Sequence, residues 1–241
     1  MRISAIIPAY NEKDNIEELT RRLYPILERC TEGFEIWYIY QGLDGGKEVI
    51  ERLQDEMPNI KLKHFPEPLG AGGAFKEGFQ LLSRNMDFVL TLDADLNHEP
   101  ETLPLFISAA EKGSVVVGSR YMEGGSFDEM PLWKLKISCM ANRLLSLLFK
   151  MDVHDMTSGY RLYDAEAIRE IRDELQFKHF EFYPEALIRC YWHGYKIVEV
   201  PITYKKRMYG RSKLPFVKTG LGYLRLFFRL SSNTPLVQGR Q

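Results

Sequence analysis

The chain has 241 residues, 45% of them hydrophobic, with 33 acidic against 32 basic side chains, which suits one large α/β domain with a sizeable core. The near-neutral total hides an asymmetry: Lys205, Lys206, Arg207, Arg211, Lys213, Lys218, Arg225, Arg229 and Arg240 put +9 after Glu199 and leave −10 on the first 200 residues. A basic C-terminal segment implies an anionic partner, with nucleic acid, anionic lipid and phosphorylated substrate all qualifying. Cys30, Cys139 and Cys190 are odd in number and without metal-ligand spacing, so a reduced, cytoplasmic compartment is expected. No charged segment with an apolar run opens the chain and no stretch approaches the ~18 apolar residues of a span, so neither export nor integral insertion is expected.

In chain order, Ile3–Ile7, Glu35–Tyr40, Ile60–Phe65, Phe88–Leu92 and Ser114–Gly118 are candidate strands alternating with helical patterns, the signature of a mostly parallel sheet flanked by helices. Between the first two, Asp14 with Glu17 predicts a capping box, and Ile16, Leu19, Leu23, Ile26, Leu27 and Cys30 recur at helical spacing. Gly70-Ala71-Gly72-Gly73 opens a helix through Phe75 and Phe79, and the loop Met122–Met130, with Gly124-Gly125, reads as a lid.

The fourth strand runs into Asp93-Ala94-Asp95-Leu96-Asn97-His98-Glu99-Pro100-Glu101. Two carboxylates at a strand's carboxyl end lie where open α/β sheets bind ligands, and two hard oxygen donors suit Mg²⁺ or Mn²⁺ carrying a diphosphate. The competing reading is a surface Asp pair capping a helix. Further on, Thr157-Ser158-Gly159 reads as a tight turn, and a structural role comes first for Asp155, capping a helix or pairing with a base, and for Arg161. Residues Trp133–Met151 and Pro215–Leu230 carry apolar faces bordered by cations; both fit helices lying in a membrane interface, against a reading as ordinary core helices.

Pro8-Ala9-Tyr10-Asn11-Glu12, the D-A-D-L-N-H-E-P-E stretch, Gly118-Ser119-Arg120-Tyr121, Asp155-Met156-Thr157-Ser158-Gly159-Tyr160-Arg161 and Arg207-Met208-Tyr209-Gly210-Arg211-Ser212-Lys213-Leu214 follow one another in a fixed order. The set resembles a family 2 glycosyltransferase of the dolichol-phosphate mannose synthase group, over residues 3 to 214. The resemblance implies a Rossmann-like, single-domain GT-A type fold, a nucleotide-sugar donor and a polyprenyl or dolichyl phosphate acceptor. It divides the chain into a glycosyltransferase domain, 1–214, and a basic amphipathic segment, 215–241.

Carried over residue by residue, the resemblance places Pro8, Tyr10 and Glu12 in the nucleotide pocket, Tyr10 near the base and Glu12 at the ribose, with Gln41, Asp44 and the Asp93-Ala94-Asp95 run completing it. Asp93, Asp95 and Asn97 would hold Mg²⁺ or Mn²⁺. Arg120 would meet the acceptor phosphate, for which a planar fork suits better than a point charge, with Lys134 and Ser138 nearby. Arg207, Ser212 and Lys213 would close over the donor diphosphate or the acceptor phosphate. Asp95, Arg120 and Arg207 are the expected catalytic residues. A phosphate monoester is already anionic at neutral pH, so an inverting in-line displacement needs no dedicated base.

The chain departs from the pattern after its second strand, where Asp-Asp-x-Ser-x-Asp-Gly would stand. It reads Tyr40-Gln41-Gly42-Leu43-Asp44-Gly45-Gly46, keeping only Asp44-Gly45 at a spacing one residue short. An Asp accepts, whereas Gln41 can donate or accept, so this position leaves the base open; the resemblance of the whole motif set puts GDP-mannose first with a UDP-hexose close behind. The expected enzyme is peripheral at the cytosolic membrane face, docking alone or through a membrane-embedded partner subunit and binding no nucleic acid. The alternatives are a non-lipid acceptor and a catalytically silent nucleotide-sugar-binding subunit.

Overall fold

A computed structural model describes residues 1–206 and 216–231. Seven strands form one sheet in the order β3-β2-β1-β4-β7-β5-β8. These are β1 (Arg2–Tyr10), β2 (Gly33–Gln41), β3 (Ile60–Phe65), β4 (Phe88–Thr91), β5 (Ser114–Ser119), β7 (Arg161–Asp164) and β8 (Lys196–Pro201). The five strands expected from sequence are present, β1 and β2 extended at both ends. Every pairing is parallel except those of β7, which runs antiparallel between β4 and β5 with Arg161 facing Thr91 on one side and Val117 on the other.

The central strands are apolar on both faces because helices cover both. Ile3, Ala5, Ile7 and Ala9 of β1 pack with Ile16, Leu19 and Leu23 of α1 (Lys13–Cys30), Ile50 and Leu53 of α2 (Gly46–Glu56) and Phe106 of α4 (Leu103–Ala109). On the opposite face Ile6 joins Phe75 and Phe79 of α3 (Ala71–Gln80), together with α6 (Ala165–Ile171) and α7 (Phe182–Trp192). Leu145 and Phe149 of α5 (Leu132–Phe149) and Leu226 and Leu230 of α8 (Phe216–Ser231) complete that second core.

One local expectation is corrected. No capping box forms at Asp14: α1 begins at Lys13, Glu12 is the N-cap without a side-chain cap bond, and the Lys13 N–H is bonded by Asp44 Oδ2 at 3.2 Å. A carboxylate from the β2–α2 loop does the work that a local cap would do, and it also accepts from Gly46 N–H at the start of α2. The Met122–Met130 loop, read as a lid, holds a short strand of its own. Within it β6 (Ser126–Phe127) pairs in parallel with β9 (Thr203–Tyr204), and Asp128 N–H bonds Tyr204 O at 2.9 Å.

The two amphipathic segments fold as helices α5 and α8, and each turns an apolar face outward. On α5, Leu132, Trp133, Ile137, Met140, Leu144 and Leu147 are exposed; on α8, Leu224 and Phe228 are. A ring contact between Phe149 and Phe227, 6.4 Å between centroids, sets the helices side by side. Among the described residues no helix is long and apolar enough to cross a membrane.

Candidate active site

The carboxyl ends of β1, β2, β4 and β5 share one edge of the sheet, and the residues singled out by sequence collect along it. At the β1–β2 end Pro8 is buried, Tyr10 is 37% exposed, and Gln41 lies beside Tyr10 in the strand register. Gln41 Oε1 accepts from Leu69 N–H at 2.6 Å and so ties the loop before α3 to β2. Glu12 Oε2 accepts from Asn15 Nδ2 at 2.6 Å. Asp44 is engaged by the starts of α1 and α2 and by the Tyr40 hydroxyl. Gly42, at φ +101°, lets the Asn11 side chain pack against the loop, since a Cβ there would run into it.

Two residues beyond the last residue of β4, Asp93 is 30% exposed. Ala94 and Asp95 follow it as buried residues. Asp95 Oδ1 accepts from Asn97 N–H at 3.1 Å, an Asx turn that fixes the loop. Asn97 itself faces the β9 segment: its Nδ2 donates to Lys205 O at 2.6 Å and its Oδ1 accepts from the Tyr204 hydroxyl at 3.1 Å. The Lys205 N–H to Asn97 O bond, 2.8 Å, and a bridge between His98 and Tyr204 complete the stitch. The structure therefore brings Asp93 and Asp95 to the edge and gives Asn97 the task of holding their loop.

Across β7 lies the other half. Asp155 is fully buried and receives Arg120 three times, from its N–H at 3.1 Å, Nε at 2.7 Å and Nη2 at 2.8 Å, with Thr157 and Ser158 N–H adding two more bonds. Burial works against the charge of this carboxyl, but the Arg120 guanidinium and these donors hold it below its ordinary pKa. The Tyr121, Phe127 and Tyr204 rings each stand 5.5 Å from Arg120 Cζ, so the cation is caged by aromatic faces as well as paired. Arg120 Nη2 also donates to Thr157 Oγ1, which accepts from Asn142 Nδ2 of α5. The Tyr121 hydroxyl donates to Ser138 Oγ at 2.6 Å, which brings Ser138 into the same network. Lys134 lies one turn earlier on α5, its Nζ 5.4 Å from the Trp133 ring. Arg207, Ser212 and Lys213 lie outside the described residues.

Three groups take parts at this edge that the sequence did not assign to them. Tyr183 of α7 donates its hydroxyl to Asp93 Oδ1 at 2.9 Å. His98 is fully buried with Nε2 3.9 Å from Asp93 Oδ2, and burial pushes its pKa down to about 4. Arg161 is fully buried and donates to the carbonyls of Tyr183 and Met156, tying the two halves together. Of these, only His98 sits inside a motif that sequence singles out for ligand chemistry. Ser119 Oγ, Ser158 Oγ and His98 Nδ1 are buried without hydrogen-bond partners among the described residues. These atoms lie beside Arg120, Asp155 and Asp93; Arg161 Nε is likewise unpaired among the described residues, as are Asn15 Oδ1, Trp37 Nε1 and Arg172 Nε elsewhere.

Gly159 separates the halves. A Cβ there would stand 2.7 Å from the Tyr183 ring and 2.9 Å from Asp93 Oδ2. Gly159→Ala is expected to lower stability by about 1–3 kcal/mol through overpacking, read as a shift in denaturation midpoint at unchanged slope.

The family model "Glycosyl transferase family 2" matches residues 4–172. The chain belongs to that family. An undecaprenyl-phosphate mannosyltransferase from Micrococcus luteus is 32% identical over 216 residues, 89% of this chain and 88% of that protein. A polyprenol monophosphomannose synthase from Mycolicibacterium smegmatis is 31% identical, covering 88% of this chain and 81% of that protein. Among solved structures, glucosyl-3-phosphoglycerate synthase from Mycobacterium tuberculosis, in complex with Mn²⁺, UDP-glucose and glycerol 3-phosphate, superposes with a TM-score of 0.65. It is 18% identical, and the match covers 97% of this chain and 80% of that one. The fold is thus of the GT-A type, in one domain, and the protein is a glycosyltransferase.

Proposed function

We propose that this glycosyltransferase moves mannose from GDP-mannose to a polyprenyl phosphate, with inversion, at the cytosolic face of a membrane. The observation that carries the reading is the juxtaposition of two aspartates after β4 with a caged arginine after β5, on either side of Gly159. Together with two polyprenyl-phosphate mannosyltransferase relatives above 30% identity, it favours a phosphate acceptor over a sugar hydroxyl. The Tyr40-Gln41 pair keeps a UDP-hexose as the second donor reading, since the base-facing carboxylate of the family pattern is missing.

The donor set fits Mg²⁺ or Mn²⁺ delivered with a diphosphate. Among the described residues no cluster of three or more His, Cys, Asp or Glu could cage a metal, and Asp93 with Asp95 would supply two oxygen donors while substrate and water supply the rest. Such a cation neutralises charge developing on the departing nucleoside diphosphate. Pro8, Tyr10, Glu12 and Gln41 would line the nucleotide pocket, Arg120 would orient the acceptor phosphate with Lys134, Ser138, Arg207, Ser212 and Lys213 near it, and the acceptor oxygen would attack in line without a base.

The test is radiolabelled transfer from GDP-mannose and UDP-glucose in parallel to a short polyprenyl phosphate with Mg²⁺ or Mn²⁺. Lipid-linked label from GDP-mannose alone is the expected result; label from UDP-glucose alone would replace the donor, and no lipid label from either would overturn the acceptor. Arg120→Ala is expected to reduce transfer more than nucleotide binding.

The exposed faces of α5 and α8, with Lys136, Arg143, Lys150, Arg225 and Arg229 also exposed on or beside them, support docking on an anionic bilayer surface. Burying one Leu or Phe side chain is worth about 1.5–3 kcal/mol. Leu147→Glu with Phe228→Glu is therefore expected to cut cosedimentation with anionic vesicles by roughly tenfold or more, and unchanged cosedimentation would remove these helices from the membrane.

A further inference from the structure

A contact to the Asp pair comes from Tyr183 of α7, far along the chain. Its hydroxyl donates to Asp93 Oδ1 at 2.9 Å, ninety residues away in sequence. Its ring is fixed from several sides, by Phe75 at 5.8 Å edge-on, Phe182 at 5.8 Å edge-on and Phe180 at 6.4 Å stacked. Its backbone is fixed too, because its carbonyl accepts from the buried Arg161 Nη1 at 2.6 Å. The aromatic cluster is itself pressed into place where α3 meets α7: a Cβ at Gly72 would stand 2.5 Å from Phe182 Cβ. The hydroxyl has little freedom to be anywhere but against Asp93.

Resting on the donor-site reading above, we propose that Tyr183 is a positioning residue that presets the Asp93 carboxylate for the divalent cation and diphosphate of the donor. Asp93 is the more exposed of the two, its side chain 30% exposed where Asp95 is a buried residue. Asp95 is braced by its own loop through Asn97 N–H, whereas Asp93 is braced by Tyr183 from another helix. A carboxylate free to rotate must be ordered when the cation arrives; one already held by a hydrogen bond is not, and loss of such an outer partner characteristically weakens a metal about 10–100-fold. Gly159 stands directly beside both groups, with no side chain to take over the task.

The test uses the full chain, with GDP and with UDP, and Mn²⁺ followed by electron paramagnetic resonance of the free ion. Tyr183→Phe is expected to raise the apparent Kd for Mn²⁺ in the presence of nucleotide about tenfold, to leave nucleotide affinity in EDTA unchanged, and to move the KM for Mn²⁺ more than kcat. In an Asp93→Asn background the same change is expected to have no further effect on Mn²⁺ affinity, because both act through one carboxylate. Unaltered Mn²⁺ affinity in Tyr183→Phe would overturn the assignment, as would an equal loss of metal-free nucleotide binding or full additivity with Asp93→Asn. A wild-type protein that binds neither nucleotide with Mn²⁺ would instead sink the donor-site reading itself, and this assignment with it.

Discussion

Asp95→Asn is expected to lower sugar transfer about a thousandfold or more, with little change in folding. The isosteric amide keeps an oxygen to accept from Asn97 N–H, now 3.1 Å from Asp95 Oδ1, so the Asx turn that shapes the loop survives. What is lost is a negative charge in a nearly buried position, where an oxygen donor to a divalent ion cannot be replaced by bulk solvent. A cation that neutralises a leaving diphosphate is worth several kcal/mol in the transition state, and each ~1.4 kcal/mol is tenfold in rate. Asp93→Asn is expected to lose less, because Asp93 is the more exposed position, where water can supply the missing oxygen donor, and Asp95 retains its charge. The radiolabelled transfer assay measures both, with a denaturation midpoint near wild type as the control for folding. Transfer by Asp95→Asn within tenfold of wild type would remove the pair from the chemistry.

The left half of this molecule was legible because its strands are runs of apolar residues bounded by turns, and because their buried position on a two-faced sheet leaves no other reading for a segment such as Phe88–Leu92. The right half was not. β7 is four residues long, carries a charged residue at each end, and pairs antiparallel with two strands from earlier in the chain; nothing local in Arg161-Leu162-Tyr163-Asp164 announces that. Arg161 spends its Nη groups on the Tyr183 and Met156 carbonyls and the Tyr163 hydroxyl, an arrangement that depends on tertiary contacts. The same reason defeats the capping box at Asp14, since the competing carboxylate, Asp44, comes from the next loop. Asp155 was readable as a residue that would pair with a base, and its partner proves to be Arg120, one of the residues singled out for the acceptor. Tyr183 carried no signal at all: a tyrosine among Phe180, Phe182 and Pro184 reads as core, and most of its ring is core. Its last atom alone faces the site.

The Arg120–Asp155 pair leads to the second large effect. Asp155→Asn is expected to destabilise the protein by about 3–5 kcal/mol, since removing one member of a buried pair strands the other charge. Asp155 is fully buried, and the three rings around Arg120 attract its cation without replacing a carboxylate. The pH dependence has a definite sign. The folded protein holds the Asp155 carboxyl below its unfolded pKa, near 3.8. The contribution of the pair is therefore complete above that unfolded value and is lost as pH falls through the lower folded one. Between pH 5 and 8 the difference between wild type and Asp155→Asn should be constant, and below pH 4 the two should converge; urea midpoints across that range measure it. Arg120→Lys separates stability from function. Lysine keeps the charge beside Asp155, so its stability loss should be smaller than that of Arg120→Ala, but it cannot reproduce a fork that bonds Asp155 through both Nε and Nη2 and Thr157 through Nη2. If Arg120 orients an acceptor phosphate, Arg120→Lys should lose nearly as much transfer as Arg120→Ala while melting closer to wild type. Transfer that tracks stability across Arg120→Lys, Arg120→Ala and Asp155→Asn would instead make the pair a brace for the turn at Thr157 and nothing more.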